Sequence, residues 1–138
     1  MKVYITARFK GEENRAEIEA LCAAVKAADM EDFCFVRDVE SYKKTFDDPR
    51  DLWKRARLEI EACDALLIDL SDAPSGGRVL EAGIAYALGL PIFVVVKSGV
   101  PYKECYRGIA TALITYERYD DIIVPLKSCL PYTVRKKC

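Results

Sequence analysis

Continuous apolar runs alternate with amphipathic stretches from one end of the chain to the other. "KVYITA" (2–7) is short, β-branched and aromatic, which predicts a buried strand. In "EENRAEIEALCAAVKAAD" (12–29), Ile18, Leu21, Cys22 and Val25 recur at helical spacing and mark one apolar face. "FCFV" (33–36) predicts a second strand, and the polar "RDVESYKKTFDDPR" (37–50) a loop. Asp48 before Pro49 suits the cap and first position of a helix that presents Trp53, Ala56, Ile60 and Cys63 on one face. "ALLIDL" (65–70) and "IFVVV" (92–96) are unbroken apolar runs, typical of strands covered on both faces. Between them a helix is expected to run to about Leu88, stopped by Gly89 and Pro91. A short helix (about 101–111), a weak strand "LITY" (113–116) and a last helix from Tyr119 to about Leu130 complete the pattern.

Strand and helix alternate without repeat or linker, so residues 1–138 are expected to form one domain: a three-layer α/β/α sandwich on a five-stranded parallel sheet. Five strands suit the flavodoxin-like order 2-1-3-4-5. In such sheets ligands bind beyond the C-terminal strand ends, where the strand order reverses. Two loops meet there, "TARFKG" (6–11) and "SDAPSGGR" (71–78), so the site is expected between them.

Composition narrows the chemistry. The 138 residues carry a formal net charge of −1, which offers no field for a nucleic-acid polymer or an acidic membrane surface. The basic "VRKKC" at the C-terminus (134–138) reads as a solvated tail. No run is long enough to span a membrane, and the chain starts directly on a strand, so a cytoplasmic location is expected. The six cysteines form no C-x-x-C pair, and Cys22 and Cys63 fall on apolar faces as core thiols. There is no histidine. Acid–base work therefore falls to Asp, Glu, Lys, Tyr, Cys or water, and neither metal nor cofactor is expected.

The segment "DAPSGGRVLEAG" (72–83) joins a small-residue loop to a helix carrying Glu81 in about its first turn. Gly76 and Gly77 let backbone approach a ligand closely, and the helix start offers unpaired N–H groups with a partial positive charge. An ionised Glu81 there could attack or stabilise an electron-poor carbon; equally, an acid near a helix start complements the dipole. The loop is neither a Walker P-loop nor a G-x-G-x-x-G turn.

"KVYITARFKG", "ACDALLIDLSD" and "SGGRVLEAGIAYALGLPIFVV" together resemble the nucleoside 2-deoxyribosyltransferase family, which includes 2′-deoxynucleoside 5′-monophosphate N-glycosidases; the resemblance spans about residues 2–125. It implies cleavage or exchange of the N-glycosidic bond of a deoxynucleoside or its 5′-monophosphate, with Glu81 as nucleophile on the anomeric carbon. It implies that Ser75, six residues earlier, binds the ligand, and that the protein is a homodimer or higher oligomer. The chemistry passes through an oxocarbenium-like state and a glycosyl ester, and needs no histidine or metal.

Two departures stand out. The family's second carboxylate lies eight residues before the "CD" aspartate; counting back from Asp64 gives Ala56. Asp69, expected at a strand end facing the pocket, and Asp72 are the substitutes on offer. The first loop reads "ARFKG" where the phosphate-recognising branch has a Gly-Ser-Ile-Arg-Gly type run. Thr6, Ala7, Arg8, Phe9, Lys10 and Gly11 are its candidate ligand contacts, with Lys10 in the arginine's place and Phe9 able to stack on a base or pack in the core. "SGVPYKECYRGIA" (98–110) resembles the segment that reaches a neighbouring subunit's site, making Lys103 and Arg107 candidates for a 5′-phosphate. The rival expectation is a nucleotide-binding protein of the same fold with weakened catalysis, favoured by Ala56.

Overall fold

The computed structural model describes residues 1–72 and 76–130. Five strands, β1 (Lys2–Thr6), β2 (Glu31–Cys34), β3 (Ala65–Leu70), β4 (Ile92–Lys97) and β5 (Ala112–Tyr116), pair in parallel in the order β2-β1-β3-β4-β5. The helices are α1 (Arg15–Ala27), α2 (Phe35–Asp38), α3 (Pro49–Ala62), α4 (Gly76–Ala87), α5 (Cys105–Ile109) and α6 (Ile123–Ser128), the last entered through a 3₁₀ turn at Tyr119–Ile122. The expected three-layer sandwich and strand order are therefore present.

All six residues of β3 are buried, because both faces of the sheet are covered. Val3, Ile5, Leu67 and Val95 pack under α1 and α6 on one face. Tyr4, Leu66, Ile68 and Val94 pack under α3 and α4 on the other. Cys22 and Cys63 lie in these cores, as the apolar spacing predicts. Asp64 accepts a bond from the Lys2 backbone N–H (2.8 Å) and fixes the start of β3 against β1. Asp48 caps α3 by accepting from the Arg50 N–H (2.9 Å), with Pro49 in the first turn. Gly89 adopts φ 72° where α4 ends, a conformation glycine takes without penalty.

Three boundaries differ from expectation. The second strand ends at Cys34, and Phe35–Asp38 turn into α2. Asp38 causes the change: its carboxylate accepts from the Cys34 N–H (2.9 Å) and from Arg37, closing a local turn that a run of four apolar residues conceals. The last helix is broken, its first turn being 3₁₀. The short helix covers only Cys105–Ile109. Among the described residues no helix is long and apolar enough to cross a membrane.

Candidate active site

β1 and β3 are neighbours, with Thr6 level with Ile68. The chain leaves β1 towards α1 on one face and leaves β3 towards α4 on the other. The diverging connections open a crevice at the switch point. A cleft of about 200 Å³ lies there, walled by Thr6 at the end of β1 and Ala7 after it, Cys34 to Val36 at the β2–α2 junction, Glu40 just after α2, Leu52 and Trp53 from α3, and Gly77 and Glu81 from α4. Beside Trp53 it adjoins an open groove of about 490 Å³ lined by Pro49, Arg50, Trp53, Lys54, Arg57 and Ile84.

Glu81 lies in the second turn of α4 and not the first, so its place in the cleft comes from facing the sheet rather than from the helix terminus. The residue as a whole is half-buried, but the walls of the cleft strip water from its carboxylate. That desolvation pushes its pKa up to about 7, and the nearby Glu40 carboxylate adds to the effect. The Thr6 and Tyr4 hydroxyls and the Arg78 charge act the other way, favouring the anion. Tyr4 is fully buried, and its hydroxyl lies near the Glu81 carboxylate without closing a hydrogen bond to it. Burial and the Glu81 charge push its own pKa well above the usual tyrosine range, so it stays a proton donor beside the carboxylate.

The first loop is built on Asn14, which the sequence pattern does not single out. Its side chain accepts from the Lys10 N–H (2.7 Å) and donates to the Arg8 carbonyl (2.5 Å), while Gly11 takes φ 71°. Arg8 and Lys10 project to Asp72 in the third-strand loop, at 2.6 Å and 3.7 Å. Arg78, only 2% exposed, reaches the same carboxylate (2.9 Å) and also donates to the Asp69 carbonyl (2.6 Å). Three cations thus surround one aspartate across the crevice mouth. Partial burial opposes ionisation of Asp72, but Arg8 and Arg78 outweigh it and hold its pKa below the usual range.

Other expected residues are placed elsewhere. Asp69 does not face the cleft. Strand alternation turns it to the α1 face, where it is 1% exposed and both carboxylate oxygens accept from tyrosine hydroxyls, Tyr116 at 2.5 Å and Tyr119 at 2.8 Å. It is a structural anchor whose backbone carbonyl positions Arg78. Phe9 packs against Tyr42 (5.7 Å between rings) on the α1 side, away from the cleft. Ala56 is 1% exposed and pressed into the core under α3. Lys103 and Arg107 are exposed, Arg107 pairing with Glu104 (3.4 Å), and neither lines the cleft of its own chain. Ser75 and the basic 134–138 segment lie outside the described residues. Gly76 is exposed, whereas Gly77 lines the cleft.

The architecture, a five-stranded parallel α/β sandwich in the order 2-1-3-4-5, is shared with several solved structures. No family model matches the chain, and no curated protein matches it. Among solved structures, the CMP N-glycosidase BcmB of Clostridium botulinum aligns over 93% of this chain and 99% of its own, with 22% identity and a TM-score of 0.67. The 2-deoxyribosyltransferase of Bacillus psychrosaccharolyticus aligns over 91% and 96%, at 18% identity and TM-score 0.70. That of Leishmania mexicana aligns over 77% and 71%, at 23% identity and TM-score 0.57.

Proposed function

We propose that this protein cleaves or exchanges the N-glycosidic bond of a 2′-deoxyribonucleoside or its 5′-monophosphate, with Glu81 as the nucleophile. The observation that carries the reading is a partly desolvated glutamate with hydroxyl donors beside it, opening into a cleft at the switch point of this fold. Proteins of similar fold include a CMP N-glycosidase and 2-deoxyribosyltransferases, which favours glycosidic chemistry over other uses of the crevice. A cleft of about 200 Å³ is smaller than the usual ligand pocket of roughly 300–1,000 Å³. It suits the pentose, with the base extending past Trp53 into the adjoining groove. Arg8, Lys10 and Arg78 leave an excess of positive charge over Asp72 at the mouth, where a 5′-phosphate is held.

In the first step a Glu81 oxygen bonds to C1′ as the C1′–N bond breaks, and the electron pair departs with the base. Water then attacks C1′ and releases the sugar; a second base in its place gives a new nucleoside. Low local dielectric strengthens the attraction between carboxylate and oxocarbenium carbon.

The protein is proposed to work as a homodimer or higher oligomer. Helix α4 is inverted relative to an ordinary surface helix. Its two charged side chains, Arg78 and Glu81, turn inward, while Val79, Leu80 and Tyr86 stand 48%, 56% and 60% exposed. Lys103 and Arg107, exposed and outside the cleft of their own chain, are then available to a neighbour's site.

The test is incubation with each deoxynucleoside, its 5′-monophosphate and the ribose counterparts, with and without an acceptor base, followed by chromatography for free base. Release without acceptor identifies a hydrolase, and product only with acceptor a transferase. Glu81→Gln should abolish both while still binding substrate. The second reading, a binding protein with weakened catalysis, rests on the apolar, buried Ala56 where a second carboxylate is expected. Binding without turnover, unchanged in Glu81→Gln, decides for it.

A further inference from the structure

Leaving a sugar as an anion is difficult for a nucleobase, so the bond usually breaks with a proton delivered to the base. The nitrogen that departs is one bond from C1′. An acid that serves it must therefore share a cavity with the nucleophile. Asp69 points away from the cleft, Ala56 carries no carboxyl group, and Asp72 is held as an anion by three cations.

Glu40 is the second carboxylate lining the cleft with Glu81. It is half-buried and has no ion-pair or hydrogen-bond partner for its side chain among the described residues. Its backbone is tightly fixed. The Glu40 N–H donates to the Phe35 carbonyl (3.1 Å), and its own carbonyl accepts from Lys43 (3.0 Å). The next two residues, Ser41 and Tyr42, take φ 50° and 59°, a left-handed pair that non-glycine residues rarely adopt. The surroundings enforce that turn. The Tyr42 N–H donates to the Val36 carbonyl (2.8 Å), its hydroxyl bonds to Glu19, and Arg15 lies over its ring at 4.2 Å. Backbone strain that is over-determined in this way concentrates at functional sites.

We propose that Glu40 is the general acid of this site, protonating the departing base while Glu81 bonds to C1′. This deepens the glycosidic reading and rests on it. The roles divide by environment. Burial raises the pKa of both carboxyls, so the division rests on partners: Thr6, Tyr4 and Arg78 favour the negative form of Glu81, whereas Glu40 has no such donor or cation on its side chain among the described residues. In the first step the Glu40 O–H proton passes to a ring nitrogen of the base, which leaves neutral, and Glu40 becomes a carboxylate. In the second, Glu40 takes a proton from the attacking water as the ester opens, returning both carboxyls to their starting states.

The experiment compares wild type, Glu40→Gln, Glu40→Ala and Glu81→Gln on two substrates with the same ring. One carries the ordinary base, the other a halogenated base that departs readily as an anion. For Glu40→Gln, kcat/KM should fall on the order of 10²–10⁴-fold on the ordinary base. The loss should be much smaller on the halogenated base. Added formate should restore part of the Glu40→Ala activity. Glu81→Gln should be inactive on both substrates. Equal losses on the two substrates without formate rescue, or no loss, would overturn the role of Glu40 while leaving Glu81 as nucleophile. A wild type inert on every substrate would overturn the glycosidic reading and this inference together. Melting temperature and circular dichroism of each variant separate these results from misfolding.

Discussion

A carboxylate with a pKa near 7 costs its protein stability, and Glu81 allows that cost to be measured. Its ordinary value is 4.5 and its folded value about 7, so the native state prefers the protonated form. The stability this group contributes is complete below pH 4.5 and is lost as pH rises through about 7. Replacing Glu81 with Gln removes the ionisation. The variant is therefore expected to gain stability over wild type across that interval, reaching roughly 1–3 kcal/mol by pH 8 and vanishing near pH 4. Urea titrations of both proteins at several pH values check this; a gap that does not change with pH would rule out a desolvated carboxylate. If Glu81 is the nucleophile and Glu40 the acid, activity should follow a bell, its one limb set by ionisation of Glu81 and its other by loss of the Glu40 proton. Gly77 gives a second separation of folding from function. It is the second residue of α4, where glycine still loses more backbone freedom on folding than alanine does. A Cβ there meets no atom within 4 Å, yet the residue lines the cleft. Gly77→Ala is expected to melt no lower than wild type while raising the substrate KM, measured by steady-state kinetics.

At the scale of elements, α3 shows why the missing carboxylate cannot simply be restored. Ala56 packs against the sheet with Ile60 and Cys63, and its small side chain sets how close the helix lies. Ala56→Asp places a charge in that core without a partner and should destabilise by about 3 kcal/mol, lowering the urea midpoint without raising activity. A stable and faster variant would show that α3 sits further out than described. The same comparison shows what one-dimensional pattern contains. Pro49, Gly89 and the unbroken apolar strands carry strong local signals, and their elements appear where the pattern puts them. "FCFV" does not, because strand and helix both accept four apolar residues and the choice is made by Asp38 capping the Cys34 N–H. Asp69 was legible as a strand-end acid but not by its facing, which depends on the two tyrosines from β5 and the following turn. Glu40 and Asn14 were not legible at all. Each matters through partners or walls that only the folded chain brings near.

The whole molecule presents a surface that its sheet does not explain. Both faces of the sheet are covered within one chain, so α4 has no need of an apolar outer side, and yet it has one. Val79, Leu80, Tyr86 and Leu88 are between 45% and 60% exposed, and Leu58 of the adjacent α3 adds a further 56%-exposed side chain. Apolar side chains exposed in this way suit an interface, and a closed pair made from one repeated surface is the commonest solution. The groove at Trp53 and Ile84 lies on the same two helices, so association there would wall the side of the cleft proposed for the base. Trp53 is the single tryptophan of the chain, and its fluorescence therefore reports on that side alone. Wild type is expected to sediment as a dimer or larger species, and Leu80→Glu with Leu88→Glu as a folded monomer with an unchanged far-ultraviolet spectrum. Tryptophan emission should move to the red in the variant as water reaches Trp53, and nucleotide quenching should weaken in parallel. A wild-type monomer at micromolar concentration, with emission identical in both proteins, would leave the inverted helix without an interface to serve.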